Sequence, residues 1–367
     1  MWTIEHRAYR LPFRAVVRTA HGPWAEREGF LIRVVKAGAA ALQAEKTGRA
    51  RVGWGEAAPL PWFGTESVAE AGAALAGLRA EARDLGDALA RVPAECGATR
   101  AGLAAAWAMA GEGETGDAAD AAKGNAEPAV KFLPVAGLLP AGRAVLDAVG
   151  PALELGYRAF KWKVGVGTAA DELALLDDLL GRLPAGAKVR LDANGAWDRR
   201  TAERWLAAAA ERPIDYVEQP VAADTRGSED LLRGLAEDYP VAIALDESLG
   251  GVGDIERWLA AGWRGVWVIK PALLGEPEAV LARLAAAGAD LVFGSALETR
   301  VGARAGLRLA FAHAERLAAA GGRARALGYG VWPLFADARA DGPATGAFVR
   351  REDVARINPE ELWNALG

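Results

Sequence analysis

The hexapeptide Phe160-Lys161-Trp162-Lys163-Val164-Gly165 sets two lysines one residue apart inside an apolar run. Side chains alternate along a strand, so Lys161 and Lys163 share one face and Trp162 takes the other. Two ammonium groups held that close repel, and one of them gives up its proton more easily. A lysine tuned in this way can act as a general base near neutral pH. Taken alone, a Lys-x-Lys reads as a solvated pair on an edge strand. The chain downstream reverses that reading.

From 129 to 330, short apolar runs alternate strictly with amphipathic helical stretches. Strands are expected at Phe132–Leu138, Ala159–Gly165, Lys188–Asn194, Tyr216–Pro220, Val241–Ser248, Gly265–Ala272 and Leu291–Ala296, with Ala326–Gly330 as a short eighth. Helices fill the gaps, for example Ala170–Arg182, Arg200–Glu211, Pro277–Ala287 and Ala303–Ala314. Such a repeating βα unit predicts a parallel sheet closed into a barrel, with an open doubly wound sheet as the alternative.

In a barrel of this kind the active site lies at the carboxyl ends of the strands. Those ends read Lys161 and Lys163, then Arg190-Leu191-Asp192-Ala193-Asn194, Glu218-Gln219-Pro220, Asp246-Glu247-Ser248 and Lys270-Pro271. Asp192, Glu218 and Asp246 come from three successive strands and are expected to converge at the barrel mouth. Three carboxylates in one place repel, and a hard divalent cation relieves them. An all-oxygen set suits Mg²⁺, with Mn²⁺ as the second choice. Lys270, on the strand beyond, would face the Lys161/Lys163 pair. Amines on two sides of a metal-held carboxylate fit proton abstraction at its α-carbon.

Working back from the barrel, residues 1–110 read as a small α+β capping domain. Strands are expected at Thr3–Leu11, Arg14–Arg18 and Gly29–Val35, with Arg18–Glu28 as a polar loop carrying His21 and Arg27 toward the barrel mouth. A further strand or turn at Val52–Glu56 leads into a semi-rigid loop, Ala57–Thr65. Helices follow at Ser67–Leu85 and Thr99–Ala110. Residues 111–128 lack a hydrophobic period and read as a flexible connection. Residues 331–367 break the barrel rhythm and are expected to return to the cap.

Composition narrows the function classes. The 367 residues carry a net charge of −5 with acids and bases interspersed, so no nucleic-acid-binding face is expected. The one cysteine, Cys96, excludes an internal disulfide and fits a reducing cytosol. No apolar leader or membrane-spanning run is evident, so a soluble, cytoplasmic protein is expected, and the strand-end residues above point to a small carboxylate as its substrate. The chain uses 8 lysines against 35 arginines, together 43, which makes each lysine in a strand conspicuous. His6, His21 and His313 are scattered, so no zinc site is expected. Gly165-Val166-Gly167 lacks the third glycine of a dinucleotide loop.

The series Lys161-x-Lys163, Asp192, Glu218, Asp246, Lys270 resembles the muconate-lactonising subgroup of the enolase superfamily, in which a Lys or His base works beside Mg²⁺. Within it, Gly53–Pro61 and Gly294-Ser295-Ala296-Leu297-Glu298-Thr299 are similar to the o-succinylbenzoate synthase family. The resemblance implies a modified (β/α)7β TIM barrel under an α+β cap. It implies Lys163 as base and then acid, Lys161 as its electrostatic neighbour, and Lys270 as the cation beside the enediolate. It assigns Asp192, Glu218 and Asp246 to Mg²⁺, with Asn194, Arg190, Gly294 and Ser295 toward the substrate. The implied reaction is dehydration of 2-succinyl-6-hydroxy-2,4-cyclohexadiene-1-carboxylate. The same residues also suit racemisation of an N-acylamino acid, and a non-catalytic carboxylate-binding barrel is the alternative of another class.

Overall fold

The computed structural model describes residues 1–19, 22–36, 51–78, 81–115, 128–343 and 346–366. The chain opens on a long antiparallel hairpin, β1 (Trp2–Thr19) with β2 (Gly22–Lys36), paired from Trp2↔Lys36 out to Thr19↔Gly22. Strand β3 (Val52–Ala57) and the short β4 (Glu81–Ala82) complete a sheet of order β3-β2-β1-β4. The polar loop expected at Arg18–Glu28 is therefore mostly strand. Its charges misled the reading, because they pair across the ladder: Arg10 reaches Glu28 at 2.6 Å and Glu26 at 3.3 Å on the exposed face. His21 lies outside the described residues.

Helices α1 (Val68–Gly77), α2 (Leu85–Leu89) and α3 (Gly97–Thr115) cover this sheet. Ser67 and Glu70 form a reciprocal capping box that starts α1. The helix expected over Ser67–Leu85 ends early, giving way to β4. The buried Glu66 carboxylate starts α3 by accepting from Ala98 N at 3.1 Å and Thr99 N at 2.7 Å. Gly53 and Gly55 let α3 lie directly on β3, since a Cβ on Gly55 would stand 1.9 Å from the Gly102 carbonyl oxygen. Most of the expected connection, 116–127, lies outside the described residues, and α3 runs on to Thr115.

After β5 (Phe132–Pro134), seven parallel strands follow in sheet order. They are β6 (Gly137–Leu139), β7 (Ala159–Lys163), β8 (Lys188–Asp192), β9 (Ile214–Glu218), β10 (Ile243–Leu245), β11 (Val266–Ile269) and β12 (Asp290–Phe293). Helices α4 (Val145–Glu154), α5 (Ala169–Leu180), α6 (Arg199–Ala210), α7 (Ser228–Asp238), α8 (Val252–Ala260), α9 (Pro277–Ala286) and α10 (Arg300–Ala319) follow them in alternation. The expected eighth strand is reduced to two parallel bridges, Val135↔Leu327 and Gly294↔Gly328, which join the two ends of the curled sheet. The result is a modified (β/α)7β barrel. Its outer wall buries Phe160, Trp162, Leu191, Val217 and Trp267 against the helices. Tyr216, Ala244, Val266, Val268 and Val292 form a separate interior cluster.

The last elements are β13 (Phe348–Arg350), which pairs antiparallel with β5, then α11 (Arg351–Ala355) and α12 (Pro359–Ala365). Trp363 on α12 packs edge-on against Trp54 of β3 at 5.1 Å, and its carbonyl accepts from Arg7 at 2.6 Å. Among the described residues no helix is long and apolar enough to cross a membrane.

Candidate active site

The observed strands stop earlier than expected, so the chemically interesting residues sit on the last position of a strand or in the loop just past it. Three non-glycine residues adopt left-handed backbone there: Asn194 (φ 44°), Gln219 (φ 38°) and Leu297 (φ 56°). All three line one cavity of about 690 Å³ at the carboxyl ends of the barrel strands. Strained backbone of this kind persists only where its surroundings over-determine it, and it gathers at functional sites.

Alternation on β7 sends Lys161 and Lys163 into the barrel and buries Phe160 and Trp162 outside it. Lys161 Nζ lies 2.6 Å from Glu218 Oε1 and 2.8 Å from Asp192 Oδ2. Burial alone would lower the Lys161 pKa, but the carboxylates of Asp192, Glu218 and Asp246 hold it well above the ordinary lysine value. Lys161 is therefore a fixed cation. Lys163 lines the same cavity and makes no ion pair or hydrogen bond among the described residues. Across from them, Lys270 Nζ makes a short contact with Asp246 Oδ1 and stands 3.9 Å from the centroid of the Phe63 ring.

Asp192, Glu218 and Asp246 are all buried, Glu218 at 1% exposure. Burial pushes the Glu218 carboxyl up to about 8, opposed by Lys161 and reinforced by Asp192 and Asp246. Asp192 and Glu218 share the Lys161 ammonium, and Asp246 pairs with Lys270. Ammonium groups stand against them as the countercharge, and among the described residues no three potential ligands are arranged to enclose an ion. The donor set nevertheless suits a hard divalent cation, being all-oxygen and buried. Glu247, one residue beyond Asp246, adds a carboxyl oxygen, Oε2, that is buried without a partner among the described residues. The four carboxyl groups of Asp192, Glu218, Asp246 and Glu247 offer oxygen donors of the kind Mg²⁺ takes.

The substrate-side set divides. Asn194 lines the cavity and donates to Glu247 Oε1 at 3.0 Å, and Ser295 lines it as well. Arg190 does not reach it. Its guanidinium is buried deeper in the barrel, engaged by Asp215 at 2.9 Å and the Ala326 carbonyl at 2.9 Å. Gly294 pairs into the sheet instead, its N–H donating to Ile269 O at 2.8 Å. Just past Gly294 two backbone N–H groups are engaged within the rim itself, Ala296 N by Glu298 Oε2 at 2.5 Å and Leu297 N by Ser295 Oγ at 2.9 Å.

Several residues escaped the sequence reading. Gln219 fixes the loop after β10, its Oε1 accepting from Asp246 N at 3.0 Å and Ser248 N at 3.1 Å. Glu172 on α5 shapes the loop after β7 by accepting from Gly165, Val166 and Gly167 N at 2.9–3.1 Å. Trp24 of the hairpin meets Trp62 edge-on at 4.9 Å, and with Leu60 and Phe63 they roof the cavity. Cavity-facing aromatics in a Pro-rich loop were the available signal.

Glu298 is buried at 1% exposure, and that burial pushes its carboxyl up to about 7. The group is raised above its unfolded value of 4.5. The stability associated with its neutral form is thus fully present below about pH 4.5 and lost as pH rises through about 7, on the order of 3 kcal/mol. Glu298→Gln is expected to flatten part of that slope in urea-unfolding free energies taken from pH 4.5 to 8. A slope equal to that of the parent protein would refute the assignment.

A model of the enolase C-terminal domain-like family matches residues 144–337. The chain is 37% identical to o-succinylbenzoate synthase from Thermosynechococcus vestitus, over 80% of its own length and 84% of that protein. It is 30% identical to a hydrophobic dipeptide epimerase from Roseobacter litoralis, over 69% of its own length and 70% of that protein. A solved structure of o-succinylbenzoate synthase from Thermosynechococcus elongatus BP-1, complexed with Mg in the active site, shares 32% identity. It covers 99% of each chain with a TM-score of 0.77.

Proposed function

The chain belongs to the o-succinylbenzoate synthase family of the enolase superfamily and is a carbon–oxygen lyase, and we propose which reaction its cavity performs. The reaction is syn dehydration of 2-succinyl-6-hydroxy-2,4-cyclohexadiene-1-carboxylate to o-succinylbenzoate, a step of menaquinone synthesis. The observation that carries this reading is the asymmetry among the three lysines. Lys161 and Lys270 are engaged by acids, whereas Lys163 enters the same cavity unpaired among the described residues.

In this reading the Lys163 amine removes the proton from the carbon bearing the ring carboxylate. The same group, now an ammonium, returns the proton to the departing hydroxyl on that face. A C–H and a C–O bond break, a C=C bond forms, and water leaves. Lys270 stays cationic beside the carboxylate as negative charge builds on it. Lys161 keeps positive charge next to Asp192 and Glu218. Mg²⁺, or Mn²⁺, held by Asp192, Glu218 and Asp246, would supply Lewis-acid stabilisation of that carboxylate. Trp24, Trp62 and Phe63 give the diene ring an apolar cover and exclude water.

Loss of the diene absorbance on adding enzyme with Mg²⁺ tests the reading, and no turnover with either Mg²⁺ or Mn²⁺ would overturn it. A second reading, racemisation of N-acylamino acids, draws on Lys163 and Lys270 both lining the cavity. Exchange of the Cα proton of N-succinyl amino acids in heavy water distinguishes it. The segment Ala326–Trp332 holds no acid to receive a free α-ammonium group, which favours N-acylated or carbocyclic substrates.

A further inference from the structure

The sequence left open whether Arg27 touches substrate, and the structure gives it other partners. It lies on β2 opposite Leu11, only 1% exposed, and no carboxylate pairs with it among the described residues. A guanidinium has five N–H donors, and here each one meets a backbone carbonyl. Nε donates to Leu297 O at 3.2 Å. Nη1 donates to Glu28 O at 3.0 Å and Pro59 O at 2.8 Å, and Nη2 to Ala58 O at 2.5 Å and Ala296 O at 3.4 Å.

Four of those carbonyls belong to two separate pieces of the cavity wall. Ala58 and Pro59 begin the loop that carries Leu60, Trp62 and Phe63 over the barrel, and Ala296 and Leu297 form the rim after β12. The guanidinium also sits 5.2 Å from the centroid of the Trp24 ring, so it touches the roof a second time. Leu297 is one of the left-handed residues, and its carbonyl is an Arg27 acceptor.

Burying a cation without a counter-ion is a costly way to gain stability alone, since apolar groups of similar volume often serve as well or better. What the planar five-donor fork supplies is a fixed spacing between two loops, which the three donors of a lysine cannot reproduce. We infer that Arg27 is a positioning residue: it ties the roof loop Ala58–Gly64 to the rim segment Ser295–Thr299 and thereby sets substrate affinity without touching substrate. This rests on the dehydration proposed above. The cap keeps a second attachment, because the buried Glu56 accepts from Thr299 N at 3.0 Å and Gly302 N at 2.9 Å. Arg27→Lys is therefore expected to remain folded.

The test is a kinetic double-mutant cycle on the full chain with Mg²⁺. Arg27→Lys should raise KM for the diene about tenfold or more, with kcat within about threefold. In the Leu297→Gly background, where the left-handed backbone is free of strain, the same change should raise KM less than about threefold. A lowered melting temperature with KM unchanged would reduce Arg27 to a stabilising contact and overturn the inference. Hydrogen exchange supplies a readout that needs no turnover and no variant. In the parent protein, amides of Ala58–Gly64 and Ser295–Thr299 should open with one common free energy. Independent opening overturns the inference even if the diene is turned over. Common opening with no turnover supports it while the proposed reaction fails.

Discussion

Lys163→Ala is expected to lower kcat for the diene by about 10⁴-fold or more, while the far-ultraviolet spectrum and Mg²⁺ binding stay at parent values. General acid–base catalysis by one positioned group contributes roughly 10² to 10⁴. In the proposed reaction Lys163 performs both proton transfers, so the loss should lie at or beyond the top of that range. The substitution is clean because Lys163 has no ion pair or hydrogen bond to break among the described residues. Lys161→Ala would be a poorer probe, since it strips the countercharge from Asp192 and Glu218 at once. The decisive comparison is diene consumption by the two proteins at saturating Mg²⁺, with calorimetry for the metal. Turnover within tenfold of the parent would remove Lys163 from the base role.

The barrel was legible because period-two lysines and recurring βα units leave few other solutions. Alternation put Lys161 and Lys163 on one face and Trp162 on the other, the downstream strand ends turned the lysine face inward, and the structure agrees. Other features were hidden for identifiable reasons. Arg190 has the same residue type and strand position as a ligand-binding arginine, and only the distant Asp215 and Ala326 reveal that it belongs to the barrel's deeper layer. The Arg18–Glu28 segment looked like a loop because its charged face is solvated, while Arg27, on the other face, is buried. Gly53 and Gly55 fall in the stretch that resembles the family, and what they answer to is the close approach of α3. Residues that act through a neighbour, such as Gln219 on Asp246 or Phe63 on Lys270, leave no pattern in the chain. Their effect depends on contacts between segments far apart in sequence.

Asp246→Asn should raise the Mg²⁺ concentration for half-maximal activity by about 100-fold or more. Removing one partner from a buried charge arrangement costs roughly 2–5 kcal/mol, which converts to at least tens-fold in affinity. The backbone should tolerate the change, because Asp246 N, not its side chain, donates to Gln219 Oε1 at 3.0 Å. The side chain carries only charge, and its partner is Lys270. Asparagine keeps the shape and removes that charge, leaving Lys270 with the Phe63 ring and no carboxylate of its own. Two losses should then separate: weaker Mg²⁺ binding by calorimetry, and a lower kcat that excess metal does not restore. Stripping the parent protein with a chelator should abolish turnover, with Mg²⁺ or Mn²⁺ restoring it. If Asp246→Asn shows the parent's Mg²⁺ dependence, Asp246 is a counter-ion to Lys270 and nothing more, and the all-oxygen site must be rebuilt around Glu247, whose buried Oε2 lacks a partner among the described residues.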